Sequence, residues 1–228
     1  MKYRNIVKGT FIERPNRFIA IVDIDGKKNT VHVKNTGRCK EILIPGAEVF
    51  MQYDPSPNRK TDYSLISVKK GETLINIDSQ VPNKVVYDAI ISNKIEALHS
   101  VSLLKREVTY KASRFDLYFE SHYRKGFVEV KGVTLEENGI AMFPDAPTER
   151  GTRHIYEMID AAKEGYEGYI FFLIQMKGTN MFRPNYRMDP AFSEALKTAS
   201  QNNVKILAYD CIVTADSIDI SSKIPIII

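Results

Sequence analysis

Residues 113–135 read SRFDLYFESHYRKGFVEVKGVTL, which is two strand-like segments joined by a polar turn. Successive side chains of a strand point to opposite faces, so Asp116 lies on the polar face of the first segment. Glu129 and Lys131 share the polar face of the second segment. Two neighbouring strands of this kind bring Asp116 and Glu129 together beside Lys131. The opposite face of the first segment is predicted to hold Phe115, Leu117 and Phe119.

The sequence on both sides of this pair predicts an α/β domain. Helices are predicted at 85–98, from a cap at Thr148 to about 163, and at 190–201; strands are predicted at 107–111, 113–120, 126–135, 168–175 and 204–209. The strand at 168–175 is almost entirely apolar, as expected for a strand covered on both faces. The order α-β-β-β-α-β-α-β predicts a mixed-sheet domain over residues 81–228.

The first part of the chain, residues 1–80, is predicted to be a separate all-β domain. Strands are expected at 17–24, 30–33, 47–53 and 63–68, with a hairpin signal at Asp25-Gly26. About five short strands in about 80 residues predict a small barrel, and the OB-like barrel is the form most often used on nucleic acid.

Composition excludes several classes of protein. No apolar run reaches the roughly 20 residues that a membrane-spanning helix needs. The start of the chain lacks the apolar core of a signal peptide. Two cysteines, Cys39 and Cys211, cannot form a disulfide framework, and no CxxC pair indicates zinc. A reduced, cytoplasmic protein without a membrane partner is the expectation.

The net charge of +4 is unevenly distributed. Residues 1–80 contain 14 Lys and Arg against 9 Asp and Glu, whereas the remainder contains 18 against 19. The basic excess of the predicted barrel favours contact with phosphates, with an ordinary solvated surface as the alternative.

Carboxylate oxygens on rigid strands suit Mg²⁺ or Mn²⁺, so Asp116 and Glu129 are predicted metal ligands. Such an ion lowers the pKa of a bound water and neutralises charge on a phosphodiester. Lys131 is predicted to orient that water or to stabilise the developing charge, which makes all three residues catalytic candidates. The alternative is an ordinary amphipathic hairpin whose carboxylates face solvent.

An Asp followed thirteen residues later by Glu-x-Lys, on the second and third strands after a helix, resembles the PD-(D/E)xK nuclease superfamily. That resemblance implies a third acidic ligand at Glu96, late in the predicted helix, where a solvated helix carboxylate is the alternative. Gln175, at the end of the apolar strand, is a further candidate to line the site or a simple edge amide. The proline that precedes the aspartate in many of these nucleases is absent here.

Longer motifs resemble the sugar fermentation stimulation protein family. They are FVEVKGVTL at 127–135, MFPDAPTERGTRH at 142–154, RPNRF at 14–18 and VKNTGRCKEILIPGA at 33–47. The resemblance covers essentially the whole chain. It implies an OB-like amino-terminal domain, a nuclease-like carboxy-terminal domain, DNA binding and a link to sugar (maltose) metabolism in bacteria.

Basic side chains near these motifs are predicted phosphate contacts. Arg38 follows a predicted tight glycine turn at 35–38, and Arg150 shares a helix face with His154, with Arg153 alongside. Surface charges on turns, and a structural histidine, are the alternatives. The full set of predicted nucleic-acid contacts is Arg14, Arg17, Arg38, Lys40 and Arg150.

Aromatic and acidic side chains outside the strand pair receive weaker assignments. Phe11, Phe18, Tyr53 and Tyr63 are candidates for stacking on bases, with barrel core favoured for the first two. Asp145 is a further candidate for the site, and a turn or cap residue is the alternative.

The sequence therefore predicts a DNA-binding protein with a divalent-metal-dependent nuclease-type site. RNA is the alternative nucleic acid. The alternative function is a non-enzymatic DNA-binding regulator that retains the nuclease scaffold.

Overall fold

The computed structural model of the protein describes residues 1–35 and 37–228. The amino-terminal part is built from six strands: β1 (Ile6–Asn16), β2 (Ile19–Ile24), β3 (Lys27–Val33), β4 (Glu48–Tyr53), β5 (Tyr63–Lys70) and β6 (Thr73–Asn76). Their order is β3-β2-β1-β4-β5-β6, and a parallel pairing of β3 with β5 closes the first five into a barrel. The predicted OB-like barrel is confirmed. The predicted turn at 35–38 includes Thr36, which lies outside the described residues.

Strand β1 is absent from the sequence-based prediction although it pairs with both β2 and β4. Gly9 and Pro15 interrupt its alternating pattern, and its register with β2 shifts twice after Phe11. A Cβ at Gly9 would lie 2.7 Å from Asp23 O. Gly9 lets β1 lie close to β2, and the register shifts after Phe11 interrupt the alternation, which hides the strand from a test based on alternation.

The second part of the chain forms a sheet with helices on both faces. The sheet strands are β7 (Leu103–Tyr110), β8 (Ser113–Ser121), β9 (Arg124–Val133), β12 (Glu167–Ile174), β14 (Val204–Thr214) and β15 (Ser217–Lys223), in the order β15-β14-β12-β9-β8-β7. Strand β12 is parallel to both β9 and β14, and the other pairings are antiparallel. The predicted mixed-sheet α/β domain is confirmed.

The bounds of helices α2 (Glu149–Lys163) and α3 (Pro190–Gln201) are close to the predicted ones. Each helix begins at a residue that follows a side-chain cap. Thr148 accepts a hydrogen bond from Gly151 N, and Asp189 accepts one from Phe192 N. The predicted helix 85–98 is wrong in length. Helix α1 (Pro82–Ile91) ends earlier, and a separate 3-10 turn covers Glu96–Leu98. Asn93, between them, has a positive φ of 53°, a conformation that ends a helix.

A small second sheet, also unpredicted, branches off at the end of β9. It consists of β10 (Leu135–Glu137), β11 (Ile140–Phe143) and β13 (Met181–Pro184), in the order β10-β11-β13. The predicted strand 126–135 therefore ends at Val133. This branch positions the segment before α2 beside the carboxyl end of β9.

The predicted apolar face of β8 is wrong at one position. Leu117 and Phe119 pack with α1, but Phe115 belongs to the cluster on the opposite side, with α2 and α3. The ladder between β7 and β8 skips the pair Glu107 and Asp116, and Glu107 has a positive φ of 54°. This local irregularity breaks the alternation at Asp116.

The barrel and the second domain share contacts at several points. Met1 N donates to Ile218 O, and Tyr3 N donates to Asp216 O, so the first residues join strand β15. Barrel residues and the α2 face of the sheet lie in one continuous core cluster. Cys39 and Cys211 are free and buried. Within the described residues, no helix is both long and apolar enough to cross a membrane.

Candidate metal and nucleic-acid site

Asp116 lies where strands β8 and β9 separate. Their backbone pairing ends at Leu117 and Val128, and beyond that point the Val130 N–H donates to Asp116 Oδ2 at 2.8 Å. Asn83, in the first turn of α1, donates to Asp116 Oδ1 at 2.7 Å. Burial, and then the negative charge of Glu129, raise the pKa of Asp116 from 3.8 to about 6.

Glu129 lies on β9, the strand next to the one that carries Asp116, and is 3% exposed. Its Oε1 accepts hydrogen bonds from Lys131 Nζ and from the ring of His154, both at 2.6 Å. Burial alone would raise the pKa of Glu129. The charge of Lys131 and the two hydrogen bonds outweigh burial, so the net pKa is lowered. Glu129 Oε2 is buried and has no hydrogen-bond partner among the described residues.

His154, on α2, holds the same Glu129 oxygen, Oε1, as Lys131 does. Arg150 Nε approaches His154 Nε2 at 3.4 Å, which assigns that ring nitrogen as an acceptor. His154 Nδ1 then carries the proton and donates to Glu129. Arg150 is exposed and contacts His154. Arg153 instead lines a separate groove with Tyr156, on another side of the helix. The prediction that Arg153 lies alongside His154 at the site is therefore wrong.

The structure does not bring Glu96 to the carboxylate pair. Glu96 is exposed in the 3-10 turn, and its neighbours Ile95 and Leu98 pack on the α1 face of the sheet, together with Val128 and Val130. Glu129 lies between those two valines in the strand, so its side chain points to the other face of the sheet. Within the described part of the chain, no group of three or more His, Cys, Asp or Glu residues could hold a metal. The predicted position of Glu96 beside Asp116 and Glu129 is therefore wrong.

Arg14 is engaged by the protein itself, although it was predicted to contact phosphate. Its guanidinium donates to four backbone carbonyls, those of Arg17, Asn35, Gly37 and Arg38, at 2.6–2.9 Å. These bonds occupy its terminal nitrogens, so the structure assigns Arg14 to holding the chain around Arg38.

The other three barrel residues that were predicted to contact nucleic acid have exposed side chains. Arg17, Arg38 and Lys40 are exposed and form no ion pair with any described residue. They line a groove of about 520 Å³ that also touches Ala146 and Pro147 of the second domain. A strand of nucleic acid in this groove would contact both domains.

The four aromatic residues that are candidates for stacking on bases differ in their burial. Phe11 is buried in the barrel, as favoured, whereas Phe18 is 52% exposed and the core prediction for it is wrong. Tyr53 and Tyr63 pack against each other with ring centroids 5.1 Å apart.

Gln175 is buried and joins the two domains. Its side-chain Nε2 donates to Asn76 Oδ1 at 2.9 Å, and its backbone carbonyl accepts from Asn76 N at 2.9 Å. Beside it, Lys34 of the barrel pairs with the buried Asp78 at 3.0 Å. Sequence patterns did not indicate Asn76, Asp78 or Asn83, because these side chains act across elements that are distant in the chain.

Comparison with known proteins gives the family. A family model described as the sugar fermentation stimulation protein RE domain matches residues 80–217, and one for the family's N-terminal OB domain matches residues 12–77. The chain belongs to the sugar fermentation stimulation protein family. The Alkaliphilus oremlandii homologue is 56% identical over 99% of this chain and 98% of its own length. The Clostridium beijerinckii homologue is 55% identical over the full length of both.

A solved structure of this family has the same fold. The Pyrococcus furiosus protein SfsA, in complex with Ca²⁺, superposes with a TM-score of 0.90 at 30% identity. The match covers 100% of this chain and 98% of that one. The likeness therefore includes both domains and their arrangement.

Proposed function

We propose that this member of the sugar fermentation stimulation protein family binds nucleic acid, DNA in the first instance, and hydrolyses its phosphodiesters with a divalent ion. The observation that carries the proposal is the buried Oε2 of Glu129, near Asp116 and Lys131, which has no hydrogen-bond partner in the part of the chain that the structure describes. A buried carboxylate oxygen without a donor is costly unless a cation completes the site.

The residues present fit such an ion. Asp116 and Glu129 offer hard oxygen ligands, and the negative charge of each raises the cost of ionising the other. Two protein carboxylates, with waters and a phosphate completing the shell, suit Mg²⁺ or Mn²⁺. The Ca²⁺ complex of the Pyrococcus furiosus relative supports divalent-ion binding in the family. When bound, the ion supplies a water of lowered pKa and neutralises phosphate charge.

The side chains of the chain itself have distinct roles in this proposal. Lys131 neutralises charge that develops on the phosphate, because its Nζ lies beside Glu129 Oε1. His154 and Lys131 together hold Oε1, which leaves Oε2 as the oxygen directed to the ion. Arg17, Arg38 and Lys40 provide the positive surface that meets the phosphates of the bound strand.

A second function, DNA binding without cleavage, is favoured by one observation. Both oxygens of Asp116 already accept hydrogen bonds, from Asn83 and from Val130 N. Asp116 is thus satisfied as a structural link between α1, β8 and β9, as expected in a regulator that keeps the nuclease scaffold.

A cleavage assay separates the two functions. Purified protein with Mg²⁺ or Mn²⁺ should cleave at least one substrate in a panel of single-stranded, duplex and branched DNA and RNA. Lys131→Ala should abolish cleavage but leave nucleic-acid binding nearly intact, because its role belongs to the transition state. Lys163→Ala, an exposed lysine at the end of α2, is the matched control and should cleave normally. Tight binding without any cleavage by the unmodified protein would establish the regulator instead.

A further inference from the structure

A cavity of about 370 Å³ lies between the barrel and the second domain, at the carboxyl ends of β9 and β12. Its volume is within the range of small-ligand sites, roughly 300–1,000 Å³. The crevice at the carboxyl ends of parallel strands is the usual ligand position in α/β sheets. The residues on its wall that matter here are Arg17, Pro82, Gly132, Phe143, Asp145 and Gln175.

The wall of the cavity presents a hydrogen-bond acceptor that belongs to a buried side chain. Gln175 is 1% exposed, and its Nε2 is committed to Asn76 Oδ1 and to Asp78 O, at 2.9 and 3.3 Å. This fixes the orientation of the amide, so Oε1 points towards Gly132, where a Cβ would collide with it. Among the described residues, no donor reaches Gln175 Oε1. An acceptor held in this way lacks only a donor from a ligand.

A second acceptor lies on the same wall. Asp145 makes no hydrogen bond or ion pair with any described residue, and a side chain at Gly37 would run into its Oδ2. Arg17 is the cation of the wall and is exposed, whereas Gln175 is buried. The cavity thus combines two acceptors with a cation that suits a phosphate.

The cavity adjoins the carboxylate site. Gly132 on its wall directly follows Lys131, about 3.3 Å further along the strand. Pro82 on its wall directly precedes Asn83, which holds Asp116. Phe143 and Pro82 add apolar surface, and the Phe143 ring is fixed by packing on Phe172 and Phe192. A nucleotide whose phosphate lies at Asp116 and Glu129 therefore has this cavity next to it.

We infer that the cavity binds one unpaired nucleobase bearing an exocyclic amino group, from the strand whose phosphate lies at the carboxylate site. The two acceptors match the N–H groups of cytosine, adenine or guanine, and a carboxylate accepting from cytosine N4 is a known base contact. A paired base uses those groups within the duplex, so the base must be single-stranded or extruded. The inference rests on the proposed nucleic-acid function and narrows its substrate to unpaired nucleotides.

Oligodeoxycytidine and oligodeoxyuridine of equal length provide the test, because cytosine offers the two N–H donors of its 4-amino group where uracil has an accepting carbonyl at C4 and a single N–H at N3. Fluorescence anisotropy with the full chain in Ca²⁺ should show cytidine binding about tenfold tighter than uridine. Free dCMP should compete better than dUMP. Asp145→Ala should reduce the preference to below about twofold, whereas Asp160→Ala, an exposed acid on α2, should preserve it.

Equal affinity of the unmodified protein for the two oligonucleotides would overturn the inference and leave the proposed function standing. An unchanged preference in Asp145→Ala would also overturn it. Failure to bind either oligonucleotide would overturn the inference as well, and failure to bind duplex and branched DNA in the same assay would contradict the proposed function itself. Because the mononucleotide competition uses only the unmodified protein, the inference remains falsifiable even if Asp145→Ala does not fold.

Discussion

At the scale of single residues, the half-buried Asp116 and the buried Glu129 have pKa values that are displaced in opposite directions. Glu129 has the positive charge of Lys131 within 2.6 Å, which outweighs its burial. Asp116 has only neutral donors, Asn83 and a backbone N–H, and the nearby Glu129 charge adds to the effect of burial. The pair therefore shares its ionisation unequally, with Glu129 charged first.

The raised pKa of Asp116 predicts how stability depends on pH. Between about pH 4 and pH 6 the folded protein retains a proton that the unfolded chain has lost, so the contribution of this carboxyl falls as pH rises. Mn²⁺ competes with that proton, so its increase of Tm should grow through the same window. Asp116→Asn should flatten both dependences, measured as Tm against pH with and without Mn²⁺. Equal stabilisation of the variant by Mn²⁺ would contradict the assignment.

His154 is expected to act by positioning Glu129. His154→Asn shortens the side chain and removes the donor at 2.6 Å, which frees Glu129 to rotate. Loss of such a support commonly weakens metal binding by roughly 10–100-fold. Calorimetric titration with Mn²⁺ measures this, and His122→Asn, in the β8–β9 turn, is the matched control. Unchanged Mn²⁺ affinity in a folded His154→Asn protein would restrict His154 to a packing role.

At the scale of elements, the chain around Arg38 depends on one side chain from β1. Arg14 donates to four carbonyls there, and hydrogen bonds to charged groups contribute about 1.5–3 kcal/mol. We expect Arg14→Ala to lower the free energy of unfolding by about 2 kcal/mol, by loss of this clamp. Arg38→Ala should change stability by less than about 0.5 kcal/mol, since Arg38 is exposed.

The two arginine variants should also differ in DNA binding. Arg38→Ala should flatten the dependence of log affinity on log salt by about one, as expected for the loss of one phosphate contact. Affinity measured across a salt series, with chemical denaturation for stability, gives both quantities. A salt dependence flattened by about one in Arg14→Ala, with unchanged stability, would contradict the role assigned to Arg14.

At the scale of the whole molecule, the interface between the domains contains a buried ion pair. Lys34 and Asp78 have side chains 20% and 2% exposed, and their atoms lie 3.0 Å apart. Lys34→Met leaves the Asp78 charge buried, which should lower the free energy of unfolding by about 3 kcal/mol. Lys84→Met is the control, because its partner Asp88 is half exposed and the change should be below about 0.5 kcal/mol.

The same interface predicts that the chain unfolds in one transition. The first residues pair with β15, and one core cluster extends through both domains. Scanning calorimetry should therefore show a single peak in the unmodified protein. Two resolved peaks would contradict the coupling.

Local periodicity explains which parts of this structure follow from the sequence. Alternation alone places Glu129 beside Lys131, and side-chain caps at Thr148 and Asp189 mark where helices begin. The register shifts of β1 after Phe11 and the broken alternation at Asp116 depend on neighbouring strands, so local patterns do not reveal them. The same holds for Glu96, whose expected position required a helix that Asn93 ends early.

The central claim is that a divalent ion binds between Asp116 and Glu129. Crystals grown with Mn²⁺ and measured at the manganese absorption edge test it directly, because anomalous scattering locates the ion. We expect one strong peak about 2.0–2.2 Å from a carboxylate oxygen of Asp116 and from Glu129 Oε2, with waters completing the shell. Full-occupancy Mn²⁺ elsewhere, with both carboxylates still held only by Asn83, Val130, Lys131 and His154, would contradict the claim.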